Sequence, residues 1–421
     1  MAYQESIYLN KIEDRWAILA TAFLILFFSG GSRFLFGFLL IPISDDLSVT
    51  RTALSGAATM FMVISAVSMP VFGRLLDKYD MKWVLAIAAI LGVLGLSLMG
   101  VVNKVWHIFL IYGVVYAIGN AGTSTSPIAL MVSRFFEKRK GIAVSAALSG
   151  NAIGQLIIIS SFTSAITSIS WRASYAILGI INFVTIVPLI FFVLSGKRMQ
   201  IASEEDRSTI DINTDVSHNK SDNKGEDSLK TIFTSRQLLL LVTLYFVCGF
   251  QDFFVGTHVV AFATDQGVSE ALAGQLLGMM GLLTLVGVLC SGFLSDAYGA
   301  SRPTIICFII RIFIFALIML SKDTSSIIIF ALAYGFTFAI TAPLTVIFSG
   351  NIFGSSRLGT VSGFINMVHQ IAGGIGALVG GVLFDVNGNY NAVFVLMFVL
   401  SIVALLASLM VKEKLFVKRR F

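Results

Sequence analysis

The sequence predicts an all-α membrane protein, with twelve transmembrane helices arranged as two pseudo-symmetric six-helix bundles. Three observations carry that expectation: a composition too apolar for water, twelve apolar runs of spanning length, and a loop motif that recurs at the same place in each half. Of 421 residues, 57% are hydrophobic and 12% charged, and the mean hydropathy is +0.90. Soluble domains carry about 25% charged residues, so a water-soluble fold of this size would leave apolar surface uncovered. A soluble enzyme, a nucleic-acid binder and a secreted scaffold are excluded on that ground.

A run of about 18 or more apolar residues is long enough to cross a bilayer. Twelve such runs are present, at about 16–41, 52–76, 83–102, 105–133, 141–168, 173–195, 237–263, 271–295, 303–320, 325–349, 357–384 and 390–412. The first is too long for a signal-peptide core, carries Arg33 and has no small-residue cleavage site after it, so it is expected to be retained. Cys248, Cys290 and Cys307 all lie in apolar runs and read as packing residues, with neither a disulfide framework nor a metal site.

Orientation follows from the basic residues. Of the 29 Lys and Arg, 23 fall in segments on one side, four (Arg51, Lys104, Arg172 and Lys322) on the other, and Arg33 and Arg311 inside spans. The positive-inside rule then places both termini in the cytoplasm. The net charge of +6 needs no acidic partner to explain it. Residues 196–236 hold 15 charged residues among Ser, Asn and Thr, a composition that cannot order itself by burial. They are expected to form a flexible cytoplasmic linker between the bundles 1–195 and 237–421.

The two halves repeat. Gly73-Arg-Leu-Leu-Asp77-Lys-Tyr-Asp80-Met-Lys82 follows span 2, and Gly292-Phe-Leu-Ser-Asp296-Ala-Tyr-Gly299-Ala-Ser-Arg302 follows span 8, an offset of 219 residues (292 − 73). Internal repeats of this kind mark transporters. The motif resembles the loop signature of the major facilitator superfamily, and the resemblance covers essentially the whole chain. Arg134-Phe-Phe-Glu-Lys-Arg-Lys-Gly-Ile-Ala143, Trp171-Arg-Ala-Ser-Tyr175, Asp385-Val-Asn-Gly-Asn-Tyr390 and the pair His369-Gln370 are similar to features of the bacterial monocarboxylate-porter and oxalate–formate-antiporter branch. In that branch span 8 often carries an arginine; here it has no charge.

The resemblance implies the major facilitator fold, with spans 1, 4, 7 and 10 lining a central cavity. It also implies that the motif residues Gly73, Asp77, Lys82, Gly292, Asp296 and Arg302 latch one conformation rather than touch substrate. It further implies a prokaryotic plasma (inner) membrane.

No ATP-cradling loop is present, since the only Gly-Lys, Gly196-Lys197, is followed by Arg, and no His is followed by Glu as in a zinc protease. The chain is therefore expected not to be an enzyme and to need no cofactor or metal. Transport must draw on a gradient of substrate, proton or ion. Ionisable residues inside hydrocarbon cost at least ~2.5–3.5 kcal/mol on insertion scales and are functional candidates by default. They are Arg33, Asp252, His258, Arg311 and His369. Arg33 is the expected anion clamp, with Tyr116, Asn120, Asn151, His369 and Gln370 as further substrate contacts. Tyr116 and Asn120 begin a polar stripe that continues to Thr123 at helical spacing. Asp252 or His258 is the expected proton-coupling group, and Arg311 the candidate for a structural ion pair.

The function expected is secondary active transport of a small organic anion, a monocarboxylate, by alternating access, with proton coupling or exchange, in a monomer embedded in the lipid bilayer. A proton-coupled exporter of a larger amphipathic compound is the alternative. A membrane sensor with a transporter-like fold would need a long signalling terminus, and the tail after span 12 is short.

Overall fold

The computed structural model describes residues 2–136, 140–165, 168–194, 232–353 and 358–413. Most of the expected linker lies outside the described residues, and so do the side chains of Asp77 and Asp296. Among the described residues, twelve helices are long and apolar enough to cross a membrane. In the first half they are α1 (Arg15–Phe38), α2 (Arg51–Leu76), α3 (Met81–Met99), α4 (Val105–Phe135), α5 (Ile142–Ala165) and α6 (Trp171–Val193). In the second they are α7 (Arg236–Asp265), α8 (Glu270–Ser295), α9 (Ser301–Leu320), α10 (Thr324–Phe353), α11 (Thr360–Asn387) and α12 (Asn391–Met410).

Short polar side chains start several of these helices. Thr50 accepts a hydrogen bond from the Ala53 amide (3.3 Å), Ser170 from Ala173 (3.2 Å), Ser235 from Leu238 (3.3 Å) and Ser269 from Leu272 (3.3 Å). Each satisfies one of the amides that a helix start leaves without an internal partner. The repeated loop motif ends differently in the two halves. Asp80 caps α3 by accepting from the Lys82 amide at 2.9 Å. Gly299, which holds the equivalent place in the second half, turns the chain with a φ of 80°, a conformation that favours glycine.

Two glycine seams fix the centre of each half. A Cβ on Gly154 would lie 1.8 Å from the Phe27 carbonyl oxygen, and one on Gly249 would lie 2.0 Å from that of His369. So α1 crosses α5, and α7 crosses α11, with backbones in contact, as small residues allow in a membrane. Gly30 and Gly249 stand 219 residues apart (249 − 30), as do Gly154 and Gly373 (373 − 154), the offset of the loop motif. Arg33 and Asp252 share it too (252 − 33), one turn beyond the seam glycines. Equivalent positions on α1 and α7 therefore carry opposite charges.

The halves are not held together evenly. At the face opposite the linker they close on one another. Arg51, at the start of α2, forks onto Asp265 at the end of α7, with distances of 2.5 and 2.7 Å. Its guanidinium lies 3.7 Å from the centre of the Phe384 ring and donates to the Tyr390 hydroxyl at 2.9 Å. Asp385 of α11 accepts from the amides of Arg51 (3.3 Å) and Thr52 (2.8 Å), a carboxylate set on the helix start of the other half. Burial holds the Tyr390 phenol above its ordinary range, so it keeps its proton. Because it accepts from Arg51, it turns that proton to His258 Nδ1, 3.0 Å away. His258 Nε2 then carries the ring hydrogen and donates to the Ala377 carbonyl at 2.9 Å, with Ser55 Oγ at 3.2 Å.

Deeper in, Thr59 donates to the Gly374 carbonyl (2.7 Å) and Gln155 to that of Leu277 (2.8 Å), both across the halves. Toward the linker face the polar residues Thr125, Ser126 and Asn366 are exposed, and a Cβ on Gly73, Gly292 or Gly363 would meet nothing within 4 Å.

If the Arg51 cluster holds the opposite face shut, Arg51→Ala shifts the balance toward a form open there by roughly 1 kcal/mol, about fivefold. Spin labels at Asn103 and Gln266, one on each half, should then gain a longer-distance population, measurable by electron–electron double resonance. An unchanged distance distribution removes Arg51 from the closure.

Candidate functional site

The second half is built around a cation with no water. Arg311 of α9 is 0% exposed. Its Nη2 contacts Asp252 Oδ1 at 2.6 Å and donates to the Thr337 carbonyl at 3.0 Å, while Nη1 donates to Gln251 Oε1 at 3.1 Å. The backbone of α10 supplies one of these partners because it breaks. Regular helix runs over Thr324–Thr337 and resumes at Thr341–Phe353, and the break frees carbonyls at the end of the first segment inside the membrane. Arg311 satisfies Thr337, and the Tyr245 hydroxyl donates to the Thr341 carbonyl at the start of the second at 2.9 Å. Irregular backbone at membrane depth needs such partners.

Asp252 is fully engaged. Oδ1 takes Arg311 and the Tyr334 hydroxyl (2.9 Å); Oδ2 takes the Cys248 thiol (3.3 Å) and lies 3.5 Å from His369 Nε2. The Asp252 side chain is 4% exposed and that of His369 21%, so the imidazole is the more open edge of the buried pair. Ligand atoms of Cys248, Asp252 and His369 lie within 4.8 Å of one another. That donor set could approach a metal ion, but Arg311 already supplies the positive charge that Asp252 would offer it.

Arg33 meets this cluster from the first half. Its Nη2 donates to Gln370 Oε1 (3.2 Å), next to His369 in the chain, and contacts Met62 Sδ at 3.5 Å. The guanidinium lies 4.4 Å from the centre of the Phe253 ring, which shields one side of it. Its Nε has no hydrogen-bond partner among the described residues, and no described carboxylate lies within ion-pair distance. The structure thus brings Arg33, Gln370, His369, Asp252 and Arg311 together at the boundary between the halves.

The other expected residues lie outside that group, although Tyr116 stays within electrostatic reach of Arg33. Tyr116, Asn120 and Thr123 do share one face, but it looks into the first half. With Ser29, Ser32, Asn182 and several apolar residues they line a small cavity of about 30 Å³ between α1, α3, α4 and α6, and Asn120 donates to Ser29 at 3.0 Å. A π-helical stretch, Ile111–Tyr116, precedes this face and stacks Tyr112 against Phe36 and Phe61. Asn151 donates to Thr125 at 3.3 Å, an exposed contact on the linker side. His258 lies in the closed region, 0% exposed, rather than at a solvated helix end.

The loop-motif bases lie at the linker face, Lys82 over the Phe191 ring (5.1 Å) and Arg302 over the Tyr298 ring (4.9 Å). Sequence reasoning missed Arg51, Asp265 and Tyr334. Arg51 counted only as a loop charge, Asp265 had no visible partner in the sequence, and the tyrosine is one aromatic among many.

Comparison with known proteins agrees with this architecture. Among relatives, the chain is 24% identical over 384 residues to the uncharacterized MFS-type transporter YcxA of Bacillus subtilis (strain 168), covering 89% of this chain and 90% of the relative. It is 24% identical over 387 residues to monocarboxylate transporter 13 of Rattus norvegicus, covering 90% and 85%. Among solved structures, it superposes on the nucleoside transporter NupG with a TM-score of 0.73 at 14% identity, covering 94% of this chain and 98% of that one. On the D-xylose-proton symporter the TM-score is 0.72 at 12% identity, covering 94% and 97%. The sequence profile of the Major Facilitator Superfamily matches residues 22–320 and 241–419. Twelve helices, two repeated halves and that match give one conclusion: the chain belongs to the Major Facilitator Superfamily.

Proposed function

We infer that this protein is a secondary active transporter of a small organic anion, a monocarboxylate, working by alternating access with proton coupling or exchange, in a prokaryotic inner membrane with both termini cytoplasmic. The single observation that carries the reading is the state of Arg33. Its partners are an amide oxygen, a thioether and a ring face, and its Nε is unpartnered. A permanent cation left in that condition at a cavity edge is a site for an anion, and a guanidinium fork fits a carboxylate. The relatedness to monocarboxylate transporters 12 and 13 at about 24% identity supports the same substrate class.

Asp252 and Arg311 have a different part in this reading. They form a permanent pair inside the second half, which holds the wall of the cavity and presents a fixed carboxylate to His369. Gln370 orients Arg33 across the boundary. Tyr116 and Asn120 support α1 from behind, and Asn151 lies on the path toward the linker face.

Arg33→Ala should lower uptake of labelled lactate or pyruvate into proteoliposomes about a hundredfold, and Arg33→Lys, which keeps the charge but not the fork, about tenfold. Wild-type uptake by the Ala variant at equal incorporation removes the clamp. Asp252→Asn strands Arg311 and should destabilise the protein by about 3–5 kcal/mol, seen as a lower melting temperature and poor yield. Adding Arg311→Gln should recover part of that loss. A double variant as unstable as the single one would show that the pair is not the cause.

A further inference from the structure

Proton coupling requires a group that can gain and lose a proton while facing the cavity. The two residues that the sequence puts forward fail that requirement in different ways. Asp252 has all its near space filled by Arg311, Tyr334, Cys248 and His369, and its protonation would leave Arg311 as an unpaired cation in hydrocarbon. His258 spends both ring nitrogens on Tyr390, Ala377 and Ser55 inside the closed face. His369 differs from both. Its Nε2 points to the Asp252 carboxylate at 3.5 Å, Nδ1 has no hydrogen bond among the described residues, and the side chain is 21% exposed.

The charges nearby decide what protonation requires. Around His369 the titratable and charged groups are Asp252 and Cys248 from α7, Arg311 from α9 and Tyr334 from α10, while Arg33 from α1 bonds the adjacent Gln370 and shares the Phe253 ring with His369. From α2, Thr59 bonds the Gly374 carbonyl of the same helix as His369 and Met62 meets Arg33, and neither is charged. Asp252 and Arg311 cancel, so the empty site carries the single positive charge of Arg33. A proton on His369 alone would place a second positive charge beside it. A carboxylate alone would neutralise the first. With both present the site returns to the charge it has when empty.

We propose that His369 is the proton-binding residue of the transport cycle, and that proton and substrate carboxylate bind side by side, the carboxylate between Arg33 and the His369 imidazolium. This rests on the reading of Arg33 as the anion clamp. Cavity water delivers the proton to Nδ1, while Nε2–H stays directed at Asp252, which acts as a positioning residue. The anion relieves the repulsion between Arg33 and the imidazolium, so each ligand raises the affinity for the other by the same factor. Return of the empty carrier and passage of the loaded one then move equal charge, as an electroneutral symport needs.

The test measures binding of lactate, pyruvate and phenylpyruvate to the purified full-length protein by thermal shift and calorimetry at about pH 6 and about pH 8, the range in which an imidazole titrates. The wild type should bind about tenfold more tightly at the lower pH and take up protons as it binds. His369→Gln should bind more weakly, with an affinity that no longer changes with pH. His258→Asn should lose stability at the closed face but keep the pH dependence. Binding that Arg33→Ala abolishes, but that takes up no proton in the wild type, overturns the role of His369 and leaves the anion reading standing. So does an unchanged pH dependence in His369→Gln. Absence of binding by all three anions to the wild type overturns both. Because proton uptake is read on the wild type, the test stands even if His369→Gln does not fold.

Discussion

Arg311 sets the terms for half of the molecule. A guanidinium cannot lose its charge to suit an apolar surrounding, so once α9 carries one in mid-membrane, its neighbours must satisfy it. Asp252 supplies the countercharge, Gln251 an amide oxygen and Thr337 a carbonyl. The last is available only because α10 is interrupted after Thr337. Tyr334 and Cys248 then complete the hydrogen bonding of Asp252, and His369 stands at its remaining open side. One buried cation accounts for the placement of polar groups on three other helices.

Much of this arrangement was readable from the residues alone, because in a membrane protein charge is scarce and therefore informative. The twelve spans follow from where charge is absent, and Arg33, Asp252 and His369 draw attention because their charge is isolated. Arg311 stood out as the candidate for a structural ion pair, and the structure gives it Asp252 at 2.6 Å. The orientation of Tyr116, Asn120 and Thr123 was not readable. Helical spacing says that they share a face, but in a helix apolar on every side it does not say which neighbour that face meets.

The closed face was not readable for another reason. Arg51 and Asp265 are 214 residues apart, and each looks like an ordinary loop charge until the halves meet. The same closure takes His258, near the end of its helix, out of reach of water.

Contacts within and between the halves differ in kind. The Asp252–Arg311 pair lies inside the second half and does not cross to the first. The contacts that do cross at the closed face centre on Arg51 and Asp385, nearer the surface and less costly to exchange for water. The most costly interaction to break is kept off the boundary between the halves.

That separation has an evolutionary consequence. Arg33 and Asp252 hold equivalent positions in the two repeated halves, yet one faces its partner half and the other is locked within its own. Substitutions on α1 can therefore be sampled without unfolding the protein, whereas those in the Asp252 cluster are constrained by Arg311. New cargo specificities should arise by drift in the first half, on a second half that is inherited almost as a fixed part.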